Sequence, residues 1–383
     1  MRIVHIITRL IVGGAQENTI ATVLGLQARH GADVQLLSGP TSGPEGSLEA
    51  RFIASNGRFQ LCPHLIRAIH PWHDALALRD LKRLLHKLNP AIVHTHSGKA
   101  GFIGRLAARM VNTKTLIHGI HGPSFGSFQG PVANAAFLAA ERFAAGMTRH
   151  FVSVAHAMTD QYLAAGIGQP EQFTRILSGF DLAPFASAAE NPAQRNRLGI
   201  AGDEIVVGMV ARLFKLKGHD DLLDIAPTLL AQNPKLRFLL VGDGAWRARL
   251  EERADIACLN GKFHFTGLVP PEEVPSLIGA MDILVHLSRR EGLPRALSQG
   301  SAAAKPTVAY DCDGAREVCL HHETGLLIPT GDKIKLTESL LALAANRPLR
   351  NRLGRSGQER VKAEFGVDRM VDQTWALYKR LSV

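Results

Sequence analysis

The stretch Ile283-Leu-Val-His-Leu-Ser-Arg-Arg-Glu-Gly-Leu-Pro-Arg-Ala-Leu-Ser-Gln-Gly300 carries the reading of the fold. Its first five residues make a short apolar run, the pattern of a parallel strand covered on both faces. Gly292 supplies a tight turn without a Cβ, and Pro294 suits a first helical position, so a helix is expected over 294–304. The free amides and positive dipole end of such a helix attract a phosphate. Glu291 beside them can accept hydrogen bonds from ligand hydroxyls. Phosphate plus polyol points to a sugar nucleotide, whereas a plain helix cap at Glu291 with a solvated Arg295 is the alternative on this segment alone.

Outward from this unit the same alternation recurs. Before it, apolar runs at 3–8, 34–38, 92–95, 116–118 and 151–154 alternate with helical patterns at 16–29, 74–88, 99–109 and 158–165. Around it, runs at 205–210, 238–241, 263–265, 283–287, 307–310 and 326–328 alternate with helices at 220–232, 246–257 and 273–281. These are two βα series, hence two doubly wound α/β domains. The expected domains are 1–185 and 186–365, joined by the Ala-rich 186–192, with a last helix over 366–383 packing back on the first. Two such sheets in tandem would leave a cleft at the carboxyl ends of their strands.

No run reaches the roughly 18 apolar residues of a spanning helix, and the first strand follows Met1-Arg2 at once, so no leader is expected. Cys62, Cys258, Cys312 and Cys319 show no ligand spacing and read as free thiols of a reducing compartment. The net charge of +10 is uneven: residues 1–180 hold 17 Lys and Arg against 9 Asp and Glu, net +8, and 12 of the 17 His. A basic half suggests an anionic partner, namely a membrane surface or a lipid-linked phosphate. Nucleic acid is not expected, because no recognition motif or interleaved aromatic and basic stripe is present.

Several smaller patterns carry chemistry. Gly13-Gly14-Ala15-Gln16 opens the first helix, where glycines let a ligand approach the backbone; a plain tight turn reads equally well. His94 and His96 share one strand face, and His118 and His121 follow the next strand. Four His invite a metal reading, but no acid or Cys completes the set, so no metal is expected; His121, on a Gly-Pro loop, is read as a substrate contact and His94 as structural. Arg212-Leu-Phe-Lys-Leu-Lys-Gly218 puts cations at a strand end, suited to a diphosphate. Val241-Gly242-Asp243-Gly244 and Phe265-Thr-Gly-Leu268 end two neighbouring strands and could wall a base. Asp311-x-Asp313 is read as a turn.

Taken in order, Gly13-Gly14-Ala15-Gln16, His94-x-His96-Ser-Gly-Lys99-Ala-Gly, His118-Gly-x-His121-Gly, Ser178-Gly-Phe-Asp181, Arg212 to Lys217-Gly, Val241-Gly-Asp-Gly, Glu291-Gly292-Leu293-Pro294-Arg, Lys305-Pro306 and Glu323-Thr-Gly-Leu-Leu327 resemble the retaining glycosyltransferases of family 4, glycosyl transferases group 1. The resemblance implies a GT-B fold: two facing Rossmann-like domains, the acceptor mainly on the first, the nucleotide sugar mainly on the second. It implies metal-independent transfer without a cofactor, from a nucleotide sugar, with cations and the helix at Pro294 offsetting the leaving diphosphate. On this likeness His121 and Glu291 are the catalytic candidates. Gly13, Gly14, Arg212, Lys217, Gly242, Leu268, Glu291, Gly292, Leu293, Pro294 and Gln299 would meet the donor, and Gln16, His96 and Lys99 the acceptor. Two departures stand out: Gln299 occupies the second acidic position of the family's Glu-x7-Glu pattern, and Ser178 replaces an Asn.

Within the family the motifs look like the branch that elongates lipid-carrier-linked saccharides for surface polysaccharides, usually from UDP-sugars. The acceptor would then be membrane-borne, and the protein cytoplasmic and peripheral on the inner face of the membrane. Helix 74–88, with Ala77, Leu81, Leu84 and Leu88 on one face and Arg79, Lys82, Arg83 and Lys87 elsewhere, is a candidate contact, an ordinary surface helix being the alternative. A non-hydrolysing sugar-nucleotide epimerase and a non-catalytic partner subunit of the same fold remain open.

Overall fold

The computed structural model describes residues 1–41, 46–126, 128–188, 191–259 and 261–382. The chain forms two compact units, Met1–Gly179 with Val367–Val383, and Phe180–Gly366. It passes between them at Gly179 and Phe180 rather than in the Ala-rich segment after Phe185. The Gly179 N–H points to Met370 Sδ at 3.1 Å inside the first unit. The Phe180 N–H donates to Phe365 O, and a bridge pairs Phe180 with Gly366 inside the second.

Among the described residues the first unit holds seven parallel strands: β1 Arg2–Ile7, β2 Asp33–Ser38, β3 Phe59–Leu61, β4 Ile92–His96, β5 Thr115–Ile120, β6 His150–Ser153 and β7 Phe173–Arg175. Their order is β3-β2-β1-β4-β5-β6-β7. The second, among the described residues, holds six: β8 Ile205–Val210, β9 Leu236–Val241, β10 Phe263–Phe265, β11 Ile283–His286, β12 Thr307–Tyr310 and β13 Gly325–Ile328, ordered β10-β9-β8-β11-β12-β13. The central strands of both sheets are buried along nearly their whole length, as their unbroken apolar runs require. β3 and β7 lie at sheet edges with half-exposed residues, so their short mixed runs give no apolar signal.

Strand order reverses between β1 and β4 in the first sheet and between β8 and β11 in the second. In open parallel sheets such switch points open a crevice beyond the strand ends, where ligands bind. The glycines after β1, the His-Ser-Gly-Lys run after β4, the Arg212–Gly218 loop and the Glu291 loop all follow strands at these two places.

Two helices cover one face of the first sheet: Gly14–His30, capped by left-handed Gly31, and Val367–Leu381, whose Met370, Val371, Leu377 and Tyr378 join Ile3, Ile7, Val23, Leu26 and Ile92 in one core. The other face packs on Pro71–Leu88 and Gly98–Met110. This corrects the reading of helix 74–88. Ala77, Leu81 and Leu85 are buried and Leu84 and Leu88 pack against the same core, so its apolar stripe serves the domain interior; only the basic outer face, with Arg79, Lys82, Arg83 and Lys87 exposed, faces solvent. Among the described residues no helix is long and apolar enough to cross a membrane.

Candidate functional site

In the second unit the loops after β8 and β11 are knitted into one piece. The Arg289 N–H donates to Leu216 O at 2.9 Å, and Ser288 Oγ lies 3.3 Å from the same oxygen. Gly218 sits at φ 80, and a Cβ there would come 2.2 Å from Leu287 O, so the approach of the loops requires glycine. Arg289 and Tyr310 both donate to buried Asp221 Oδ2, at 2.7 and 2.9 Å, which anchors the base of the loop.

On this frame Glu291 and Lys217 form a direct ion pair, and Glu291 Oε1 lies 3.3 Å from His286 Nε2. Burial alone would raise the Glu291 carboxyl, but His286 and Lys217 outweigh it and hold the group well below the usual carboxylate range. Its backbone N–H donates to Asp313 Oδ2 at 2.7 Å. Asp313 therefore anchors the loop, while Asp311 pairs with Arg316 at 2.5 Å, so the two acids do not act as a pair.

The helix begins at Arg295, one residue later than expected, because Pro294 is extended at ψ 105 and serves as its N-cap; it ends at Ala302. Its N-cap, Pro294, makes no side-chain cap, and the first-turn amides of such a helix have no partner within the helix. Gly292 and Leu293 complete that loop, half-buried. Gln299 lies in the helix, 6% exposed. Arg212 is exposed at the end of β8, its guanidinium 6.0 Å from the Phe214 ring centroid. Gly242 follows β9 at φ 135, and Leu268 is 70% exposed beyond β10.

In the first unit the structure groups the histidines differently from the sequence reading. His5 stands opposite His94 across β1 and β4, and His96 lies two residues on, so the three share one sheet face. His118 pairs in register with Thr95 and points to the other face, where its Nδ1 meets Thr95 Oγ1 at 3.0 Å. His121 joins the cluster instead: its Nε2 is 3.0 Å from His96 Nδ1, His96 Nε2 is 2.9 Å from His5 Nδ1, and Tyr378 Oη lies 3.0 Å from His5 Nε2 and 2.6 Å from His94 Nδ1. Gly119 makes room for this, since a Cβ there would sit 2.7 Å from His96 Nδ1 and 3.1 Å from His94 Nε2.

Burial pushes His5 down to about 3 and His121 to about 4, and holds His94 and His96 well below 6.5 with help from neighbouring imidazoles, so all four are neutral at pH 7. Ring nitrogens of His5, His94 and His96 lie within 4.8 Å of one another, close enough to share an ion, yet most are spent on each other and on Tyr378. A small cavity of about 20 Å³, lined by His94, His96, Gly119 and His121 with Thr22 and Met370, adjoins them.

The remaining first-unit candidates sit near the switch point. Gly13 is extended at φ 178 with Gln16 Oε1 folded over it, 2.8 Å from where a Cβ would be, whereas nothing lies within 4 Å of a Cβ on Gly14. Lys99 is engaged by Asp74 and the carbonyl of Ala68. The sequence reading missed His5, Tyr378, His286 and Asp313. His5 and His286 could have been found as single polar residues inside apolar strands; nothing local marks Tyr378 or Asp313.

Two doubly wound parallel α/β units, each with loops gathered at its own switch point, are the architecture of the GT-B class. Residues 190–360 match the family described as glycosyl transferases group 1, and residues 13–178 match a glycosyl transferase 4-like domain. The chain belongs to this glycosyltransferase family. The Escherichia coli UDP-Gal:alpha-D-GlcNAc-diphosphoundecaprenol alpha-1,3-galactosyltransferase is 26% identical over 385 residues, spanning 99% of this chain and 96% of its own. A GDP-mannose-dependent alpha-mannosyltransferase of Mycobacterium tuberculosis (strain CDC 1551 / Oshkosh) is 31% identical over 253 residues, 65% of this chain and 63% of its own. Anabaena Alr3699/HepE, solved in complex with UDP, superimposes with a TM-score of 0.83 at 21% identity, covering 99% of this chain and all of that one.

Proposed function

We propose that the protein transfers a sugar from a UDP-sugar to a lipid-linked saccharide with retention of anomeric configuration. The observation that carries this is Glu291, held ionised between Lys217 and His286 just ahead of the helix Arg295–Ala302. A carboxylate fixed in that form accepts hydrogen bonds from sugar hydroxyls, and the helix amides with Arg212 and Lys217 offset charge on the departing diphosphate. Binding of the diphosphate draws Lys217 from Glu291, whose freed lone pairs then take the hydroxyls. Gln299 accepts one ribose hydroxyl through its amide carbonyl. His121 contacts the donor sugar, with Gln16 and His96 toward the acceptor. The second-unit loops at Gly242 and Leu268 border the base.

The lipid-linked acceptor rests on the full-length likeness to the E. coli enzyme, and retention on the family. The exposed Arg79, Lys82, Arg83 and Lys87 would add attraction to an anionic membrane, on the order of 1 kcal/mol each near the surface. The test is UDP release and product mass in a screen of UDP-sugars against prenyl-diphosphate saccharides. Release that depends on a saccharide acceptor supports the reading; UDP binding with no transfer to any acceptor overturns it. Co-sedimentation with anionic vesicles should be strong at low ionic strength and fall with salt.

A further inference from the structure

We propose that Ile69 and Trp72 form an apolar wedge that inserts into the interface of an anionic bilayer, with the outer face of the helix Pro71–Leu88 lying on the headgroups beside it. This deepens the membrane-borne acceptor given above and rests on it.

The wedge arises from where the helix starts. It begins at Pro71, three residues before the apolar pattern indicates, because His70 caps it: the His70 ring accepts from the His73 N–H at 3.4 Å, and Asp74 Oδ2 accepts from the His70 N–H at 3.2 Å. That early start puts Trp72 on the helix. Positions 72, 75, 79, 83 and 86 follow one another at steps of three or four, and all five are exposed, on the side away from buried Ala77, Leu81 and Leu85. Trp72 therefore heads the stripe that Arg79 and Arg83 continue, with Lys82 at its flank. Trp72 and Ile69 are each 70% exposed, whereas Trp246 and Trp375 pack against cores.

Charge, size and position name the occupant. Both acids of the helix are engaged: Asp74 pairs with Lys99, and Asp80 lies 2.6 Å from His64 Nδ1 and 3.5 Å from Arg79. The outer face thus offers an excess of cations, complementary to an anionic surface. One indole and one isoleucine expose far less than the roughly 800 Å² that a stable protein interface takes from each partner. An indole at the edge of a cationic face suits the headgroup level, where its body is apolar and its N–H stays wet. Lys99 fixes the wedge from both sides, since its Nζ donates to Ala68 O just before Ile69 and pairs with Asp74 just after Trp72. The same lysine is the acceptor-side cation of the sequence reading, so a bilayer met at this wedge brings a lipid-linked phosphate beside it.

The test is partitioning of the full-length protein onto vesicles of phosphatidylcholine alone and of phosphatidylcholine with phosphatidylglycerol, with no nucleotide or saccharide present. Binding should be about ten-fold or more stronger on the anionic vesicles. On these, Trp72→Ala should lower the partition coefficient on the order of ten-fold and Ile69→Ser about three-fold, with melting unchanged because both side chains stand in solvent. Lipids brominated high on the acyl chain should quench the bound protein's emission, and the quenching should vanish in Trp72→Phe, which keeps an aromatic ring and still binds. Partitioning unchanged in both Trp72→Ala and Ile69→Ser, equal binding to neutral vesicles, or quenching that persists in Trp72→Phe overturns the proposal. A dimer in light scattering that Trp72→Ala dissolves would also overturn it, giving the face to a second copy. Vesicle binding is read without turnover, so its failure is distinct from failure of the proposed transfer.

Discussion

Lowering the pH from 7.5 to 5 should weaken the first unit by about 4 kcal/mol or more, through histidines that cannot be charged where they lie. Burial pushes His5 down to about 3, and burial with nearby Arg380 and Arg149 pushes His150 to about 4; both rings are nearly inaccessible, at 0% and 4% exposure. Their unfolded value is 6.5, so in this window the unfolded chain binds more protons and stability rises with pH. The stabilisation is fully present above 6.5 and is lost as pH falls below it. At pH 5 each ring has lost about 2 kcal/mol, and His94 and His96 act in the same direction. Set against a domain stability of roughly 5–15 kcal/mol, that loss is large. Carboxylates held low, such as Glu291, titrate below this window. Urea unfolding followed by Trp72 and Trp375 fluorescence at pH 7.5, 6.5, 5.5 and 5 measures it. His150→Gln, which can still reach Thr174 Oγ1 where His150 Nε2 lies at 2.8 Å, should recover about 2 kcal/mol of the fall. A total fall of under about 1 kcal/mol, about half of what a single buried ring should lose at pH 5, would refute the reasoning.

Glu291→Gln should lower kcat/KM for UDP release on the order of 100-fold, since it removes the charge that orders the loop and the donor sugar; an unchanged value would remove Glu291 from the site. Gln299→Glu should tighten UDP binding about five-fold by calorimetry, the gain of a charge-assisted bond of about 1 kcal/mol, and weaker binding would show that the buried position penalises charge more. Arg105→Met strands buried Glu141, now 2.7 Å from the guanidinium, at about 3–5 kcal/mol, or a melting decrease of roughly 10 °C. The double variant Arg105→Met with Glu141→Leu should melt above the single one; the reverse order would mean that the ion pair itself stabilises the fold.

Central strands and their helices are readable because each is a local pattern: β8, β10 and β12 run as their apolar residues indicate, and the last helix spans Val367–Leu381. The edge strands β3 and β7 and the helix Glu49–Ala54 escape because they are short and half-exposed, so they repeat no pattern for long. The site divides in the same way. Glu291, Lys217 and Arg212 announce themselves by their place after a strand, whereas Asp313 reads as a turn residue until its carboxylate is seen on the Glu291 amide.

By itself the sequence determined the two α/β units, the strand ends that carry ligand chemistry, and the odd amide at Gln299. These depend on period, turn residues and order along one chain. Only the tertiary structure decided which histidines meet. A strand alternates its side chains, so register sets His5 beside His94 and sends His118 to the opposite face. Tyr378 reaches them across 373 residues of chain separation from His5 because its helix covers that face. Contacts of that kind follow from packing, which no local pattern encodes.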